Sequence, residues 1–135
     1  MPRIDPRHAL LLSLLGLVDA AVAIFTPLGQ AYEPYVWLAI YAVWYILIVR
    51  LRPAAPIWQA LATSMLSALW VAIAENALFG VYATNHPDVA AMVAGITPLQ
   101  RVAGFTVTAF TYALTLGLLL GYLVRGQLRR GEGRV

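Results

Sequence analysis

Residues 102–124 read VAGFTVTAFTYALTLGLLLGYLV, a stretch without a single charge, closed by Arg101 on one side and Arg125 on the other. An α-helix needs roughly 20 apolar residues to cross the hydrocarbon of a bilayer, and about 17–25 are tolerated. The stretch is therefore read as a transmembrane helix. Working outward, three more apolar runs follow the same pattern: about 9–28, 35–51 and 57–83. Together they predict an all-α polytopic membrane protein, a single domain of four transmembrane helices in an antiparallel bundle, with an Arg-rich tail at 125–135.

Composition agrees with this division. Of 135 residues, 61% are hydrophobic and 11% charged, whereas soluble domains carry about 25% charged residues. The absence of cysteine excludes disulfides, thiolate catalysis and iron–sulfur clusters. His8 and His86 are too far apart in the chain to suggest a haem or metal site, so no cofactor and no metal is expected.

Helix starts support the four runs. Asp5-Pro6, Glu33-Pro34 and Thr97-Pro98 each place an acceptor side chain before a proline, the pattern of an N-cap and first helical residue. Thr97 and Gln100 have the spacing of a capping box. Pro53 and Pro56 bracket the turn before the third run. In the connection 84–101, Asp88 could cap a short interfacial helix over residues 89–96.

All nine basic residues are arginine. Arg3 and Arg7 precede the first run, Arg50 and Arg52 separate the second and third, and Arg125, Arg129, Arg130 and Arg134 follow the fourth. Only Arg101 lies on the opposite side, with Glu33 and Asp88. The positive-inside rule then predicts cytoplasmic termini in a multi-pass protein of the inner or plasma membrane. The arginines' expected partners are anionic lipid headgroups, not nucleic acid. The N-terminal segment has the outline of a cleavable signal peptide, but its apolar stretch continues through Phe25, so an uncleaved span is expected.

Asp19 and Glu75 stand inside apolar runs, where a carboxylate costs several kcal/mol and marks either function or a specific partner. Counted from the ends of their runs, both lie roughly 12–14 Å deep at 1.5 Å per residue. With no lysine in the chain and every arginine at a run's end, neither has an obvious counter-charge. An isolated carboxyl there is expected to rest neutral, or to share protons with the other. Alternatively, each acid, like Asn76, holds helices together by hydrogen bonding a neighbour.

A polar layer can be drawn around this pair. Ser64 and Ser67 share a stripe with Glu75, Ser13 and Gly16 accompany Asp19, and Gly104, Thr108, Thr111 and Thr115 form a stripe on the fourth run. Tyr41, Trp44 and Tyr45 lie too deep for an interfacial belt and could wall a cation site or pack against other helices. Gly117 and Gly121 form a GxxxG pattern, which fits a homo-oligomer contact, contact with a partner membrane subunit, or packing within the chain.

The expected function is a proton- or cation-coupled transporter or channel-like protein. Asp19 and Glu75 would carry the ion, with Asn76, Tyr41, Trp44, Tyr45, Thr108 and Thr111 around it. In length, four runs, an acid in the first and aromatics in the second, the chain resembles in outline the small multidrug-resistance transporters. It departs from them at Leu17-Val18-Asp19-Ala20-Ala21, in its second acid and in its arginine bias. Two other classes fit the same residues: a non-catalytic subunit of a membrane complex, or an intramembrane enzyme using acid catalysis on an isoprenoid or lipid.

Overall fold

The structure is a computed structural model that describes residues 4–27 and 29–132, without the side chains of residues 29–31 and 132. Leu28, Arg3 and Arg134, used above, lie outside the described residues. The described chain is all-helical: α1 (Pro6–Ser13), α2 (Gly16–Phe25), α3 (Gly29–Leu51), α4 (Pro56–Ala77), α5 (Phe79–Asn85), α6 (Pro87–Val93) and α7 (Pro98–Glu132). Four helical segments are long and apolar enough to cross a membrane: Pro6–Phe25, Tyr32–Leu51, Pro56–Ala77 and Pro98–Gly131.

The first of these is jointed. Asp5 caps α1, accepting from the backbone N–H of Arg7 and His8, with Pro6 behind it. At Leu14–Leu15 the bonds tighten to i→i+3, as in Leu15 N to Leu12 O at 3.2 Å and Leu17 N to Leu14 O at 3.0 Å. Two local causes are present. Ser13 Oγ donates back to the Leu10 carbonyl at 2.7 Å, a competition that bends helices. Gly16 follows, a poor helix former.

α4 is the hub of the fold, packing most extensively on α7 and also on α1, α2, α3 and α5. Its buried residues are small: Ala60, Thr63, Ser64, Ser67, Ala68 and Ala72. Neighbouring glycines use that low profile. A Cβ at Gly16 would overlap Ser67 Oγ, and one at Gly121 would lie 2.6 Å from Ile57 Cα. Close approach of backbones maximises dispersion contact where lipid offers no hydrophobic driving force between helices. A second core layer of Trp44, Ile40, Ile48, Leu12, Leu120 and Val124 fills the space beside this seam.

Four details differ from the sequence reading. α3 begins at Gly29, so Pro34 lies inside the helix and Glu33 is not its cap. The third run does not continue to residue 83: α4 stops at Ala77, Leu78 leaves helical geometry (ψ 22°), and α5 starts afresh. Asn76 donates to the Ala72 carbonyl just before this joint and Gly80 lies just after it, both unfavourable to a continuous helix. In the connection, α6 begins at Pro87 behind His86, and Asp88 sits in its first turn instead of capping it. α7 runs 35 residues, so Arg125, Arg129 and Arg130 of the Arg-rich tail continue the helix of the fourth run. At 1.5 Å per residue it is about 52 Å long and exceeds the hydrocarbon thickness of about 30 Å.

The remaining start signals are realised. Thr97 N donates to Gln100 Oε1 at 2.9 Å, and Gln100 N donates to Thr97 Oγ1 at 3.3 Å, a reciprocal capping box. Between α3 and α4, Arg52 adopts a left-handed φ of 45° just before Pro53, where the helix ends. The outward surface is rich in large apolar residues, among them Leu38, Val107, Leu119 and Leu123.

Candidate functional site

Asp19 on α2, Glu33 on α3 and Glu75 on α4 are within electrostatic range of one another, on helices that pack together. α2 packs against α3, α4 and α5, and the glycine contact at Gly16–Ser67 seats it closely on α4. Asp19 follows Gly16 by three residues, on the same side of α2, and therefore turns inward. It is 1% exposed. Its carboxyl lies within electrostatic range of Glu33 on α3 and Glu75 on α4, and Glu75 is also within range of Glu33. Among the described residues neither Asp19 oxygen has a hydrogen-bond partner.

The surroundings are apolar on one side and aromatic on the other. Ala20, Ile24 and Val71 form a small core against which Trp37, Ala74 and Tyr82 pack. Trp37 also interacts with the Glu33 carboxyl. The charged groups acting on Asp19 and Glu75 are acidic. Arg101 is engaged elsewhere, with its guanidinium 3.7 Å above the Phe79 ring. Carboxyls that share a low-dielectric space without a cation disfavour one another's ionisation, so their protons come off in separate steps that belong to the set.

One further ionisable group borders the cluster. His86, 3% exposed, lies within electrostatic range of Glu33 and stacks on Tyr82 with ring centroids 4.4 Å apart. The joint at Leu78 makes this possible by redirecting the chain into α5. Asn85 then pins the end of α5 to α2, donating from Nδ2 to the Ile24 carbonyl at 2.8 Å.

The other residues expected at the site have hydrogen bonds and packing contacts of their own. Tyr41 shares a 2.7 Å hydrogen bond with Ser64, and Trp44, wholly buried, donates to the Leu12 carbonyl at 2.8 Å. Tyr45 packs against the core around Trp44. Trp44 fills the interior, and Tyr41 and Tyr45 are half-buried beside it. Asn76 donates to the Ala72 carbonyl, leaving its buried Oδ1 without a partner among the described residues. Thr108 and Thr111 lie on the exposed face of α7, where Thr111 Oγ1 donates to the Val107 carbonyl. Gly117 and Gly121 face Ser64, Leu61 and Ile57, so this GxxxG pattern serves packing within the chain. Among the described residues no three His, Asp or Glu side chains converge closely enough to hold a metal ion.

Sequence reasoning missed Glu33, Tyr82 and His86 as members of this cluster. Glu33 carried a signal, being an acid beside an apolar run, but its following proline was read as the start of a helix. His86 carried none, since its approach to Glu33 depends on the joint at Leu78. Neither a known protein family, nor a characterised protein, nor a solved structure matches the chain.

Proposed function

We propose that the protein is a small proton- or cation-coupled carrier, an antiparallel bundle of four spans in the cell membrane with both termini in the cytoplasm. The orientation follows from Arg7, Arg50, Arg52, Arg125, Arg129 and Arg130 at one set of helix ends, against Arg101 alone at the other. Anionic lipid headgroups are the partners of the arginine-rich ends. The observation that carries the function is Asp19. A fully buried carboxyl with both oxygens unpartnered and two more acids beside it is a costly arrangement for mere helix adhesion. It suits a group that is filled in turn by a proton and by a cationic substrate.

The test uses the full chain reconstituted in liposomes with a pH-sensitive dye inside. Asp19→Asn abolishes, and Glu75→Gln strongly reduces, pH-gradient-driven uptake of a cationic dye. Uptake by Asp19→Asn at the wild-type rate would overturn the reading.

A second reading is a subunit of a larger membrane assembly. It is favoured by the exposed α7 face carrying Gly104, Thr108, Thr111 and Thr115, where small residues permit close approach of another helix. A homo-oligomer would use the same face, since Gly117 and Gly121 are covered. Purification in mild detergent separates these, as a stable partner of different sequence supports the subunit and a self-complex the oligomer.

A further inference from the structure

A polar cavity of about 230 Å³ lies at the arginine-rich ends of the spans, lined by Asp5, His8, Leu51, Pro53, Ala54 and Gln59. Its residues come from the ends of three spans. Asp5 precedes Pro6–Phe25, Leu51 closes Tyr32–Leu51, and Gln59 lies in the first turn of Pro56–Ala77. In a bilayer that crosses at these spans, the cavity stands at the level of the headgroups. Asp5 and His8 are about half exposed, with side chains 48% and 45% accessible.

The polar groups of this cavity have acceptor capacity to spare. Asp5 Oδ1 accepts the backbone N–H groups of Arg7 and His8, but Oδ2 accepts only from His8 Nδ1, at 2.8 Å. A carboxylate oxygen can take two hydrogens, so Oδ2 keeps one lone pair free. With Nδ1 donating to that oxygen, the neutral His8 ring carries its own lone pair on Nε2. Gln59 is 1% exposed, and Asp5 fixes its amide: Oε1 accepts from Asp5 N, and Nε2 donates to Asp5 O. Its Oε1 keeps a second lone pair. Three spare acceptors therefore belong to residues of one cavity. Their complement is a primary ammonium, which offers three N–H donors from one atom. Cations border the same place. Arg52 stands between the lining residues Leu51 and Pro53, and Arg7 lines an adjoining hollow that shares Asp5.

We propose that the cavity binds a phospholipid headgroup that carries a primary ammonium beside its phosphate, as phosphatidylethanolamine does. The ammonium enters among Asp5, His8 and Gln59, and the phosphate lies toward Arg7 and Arg52. A choline headgroup has no N–H to give. A quaternary ammonium is recognised instead by aromatic faces, and no Phe, Tyr or Trp lines the cavity among the described residues. An anionic headgroup such as glycerol's brings no cation to Asp5. The site does not depend on the carrier reading. Lipid held there ties the end of α3 to the starts of the first and third spans, which Gln59 already clasps together.

The experiment is native mass spectrometry of the full chain in mild detergent with equal amounts of phosphatidylethanolamine, phosphatidylcholine and phosphatidylglycerol of identical acyl chains. Phosphatidylethanolamine is retained about tenfold over phosphatidylcholine, the scale of one hydrogen bond to a charged group. It also raises the unfolding temperature more. Asp5→Asn keeps a capping side chain but not the charge, and brings phosphatidylethanolamine down to the phosphatidylcholine level. His8→Leu leaves the Asp5 cap and the Gln59 clasp in place and lowers the preference as well. Unfolding curves establish that the variants are folded, and where Asp5→Asn is not, His8→Leu decides alone. Equal retention of the ethanolamine and choline lipids by wild type overturns the proposal. So does a preference that is unchanged in folded Asp5→Asn or His8→Leu. Tighter retention of phosphatidylglycerol than of phosphatidylethanolamine, by wild type and Asp5→Asn alike, reduces the site to arginines on phosphate and overturns it too. Displacement of the lipid by an equal concentration of soluble phosphoethanolamine makes the ligand a free metabolite and overturns the lipid assignment.

Discussion

The indole N–H of Trp44 donates to the carbonyl of Leu12 at 2.8 Å, joining two helical spans at the point where the first one bends. The same carbonyl accepts Leu15 N–H at 3.2 Å across the tight turn. Trp44 is wholly buried, and its ring makes an edge contact with Tyr41 at 4.9 Å between centroids. The bend and the tryptophan support each other: the turn presents the carbonyl to α3, and the indole satisfies it. Trp44→Phe keeps an aromatic ring but loses the bond and leaves a void. Stability is expected to fall by about 1–3 kcal/mol, checked by thermal unfolding in detergent.

Gly121 and Gly104 lie on the same helix and should respond oppositely. A Cβ at Gly121 meets the Ile57 backbone, whereas one at Gly104 meets nothing within 4 Å. Gly121→Ala forces α4 and α7 apart and is expected to cost about 1–3 kcal/mol. Gly104→Ala is expected to be neutral or stabilising by up to about 1 kcal/mol, through helix propensity alone. Parallel unfolding curves of the two variants decide this.

Gln59 clasps the start of the first span to the start of α4. Its Oε1 accepts from Asp5 N at 2.8 Å, and its Nε2 donates to Asp5 O at 3.1 Å. A buried amide that satisfies both backbone groups of one residue is hard to replace. Gln59→Leu is expected to destabilise by about 1–3 kcal/mol. Backbone hydrogen exchange should rise at Asp5 and spread into the first turn of α1, while α7 stays protected.

Asp5 gives a pH dependence of known sign. Chiefly through the hydrogen bond from the His8 backbone N–H, its carboxyl is held below the ordinary value of 3.8. His8 Nδ1 adds a second bond at 2.8 Å. A carboxyl depressed in the folded state contributes stability in full above 3.8, and that contribution is lost as pH falls through the lower folded value. The unfolding temperature of wild type should therefore drop on acidification below this range, and Asp5→Ala should show a smaller drop from a lower start.

Much of the fold is legible because its signals are local. The capping pair Thr97–Gln100 and the cap Asp5-Pro6 act within one helical turn, and the structure realises both. Glu33-Pro34 shows where local signals mislead, since the same pattern lies inside α3. Pro34 is the sixth residue of α3, past the first turn, where its missing N–H removes one intrahelical bond. The candidate site was less legible. Asp19 and Glu75 stood out as acids among apolar residues, but Thr108 and Thr111 shared the helical spacing of inward residues and face outward.

The sequence by itself determined the four apolar segments, their arginine-marked ends and two unusual acids, because hydropathy, charge and capping belong to short stretches of chain. Only the tertiary structure decided which side of each helix turns inward, where the first and third segments bend, and which residues join Asp19. Those depend on how closely helices approach. Gly16 against Ser67 sets α2 beside α4, and the joint at Leu78 redirects the chain so that Asn85 bonds the Ile24 carbonyl of α2. Neither contact is encoded by the residues' neighbours in sequence.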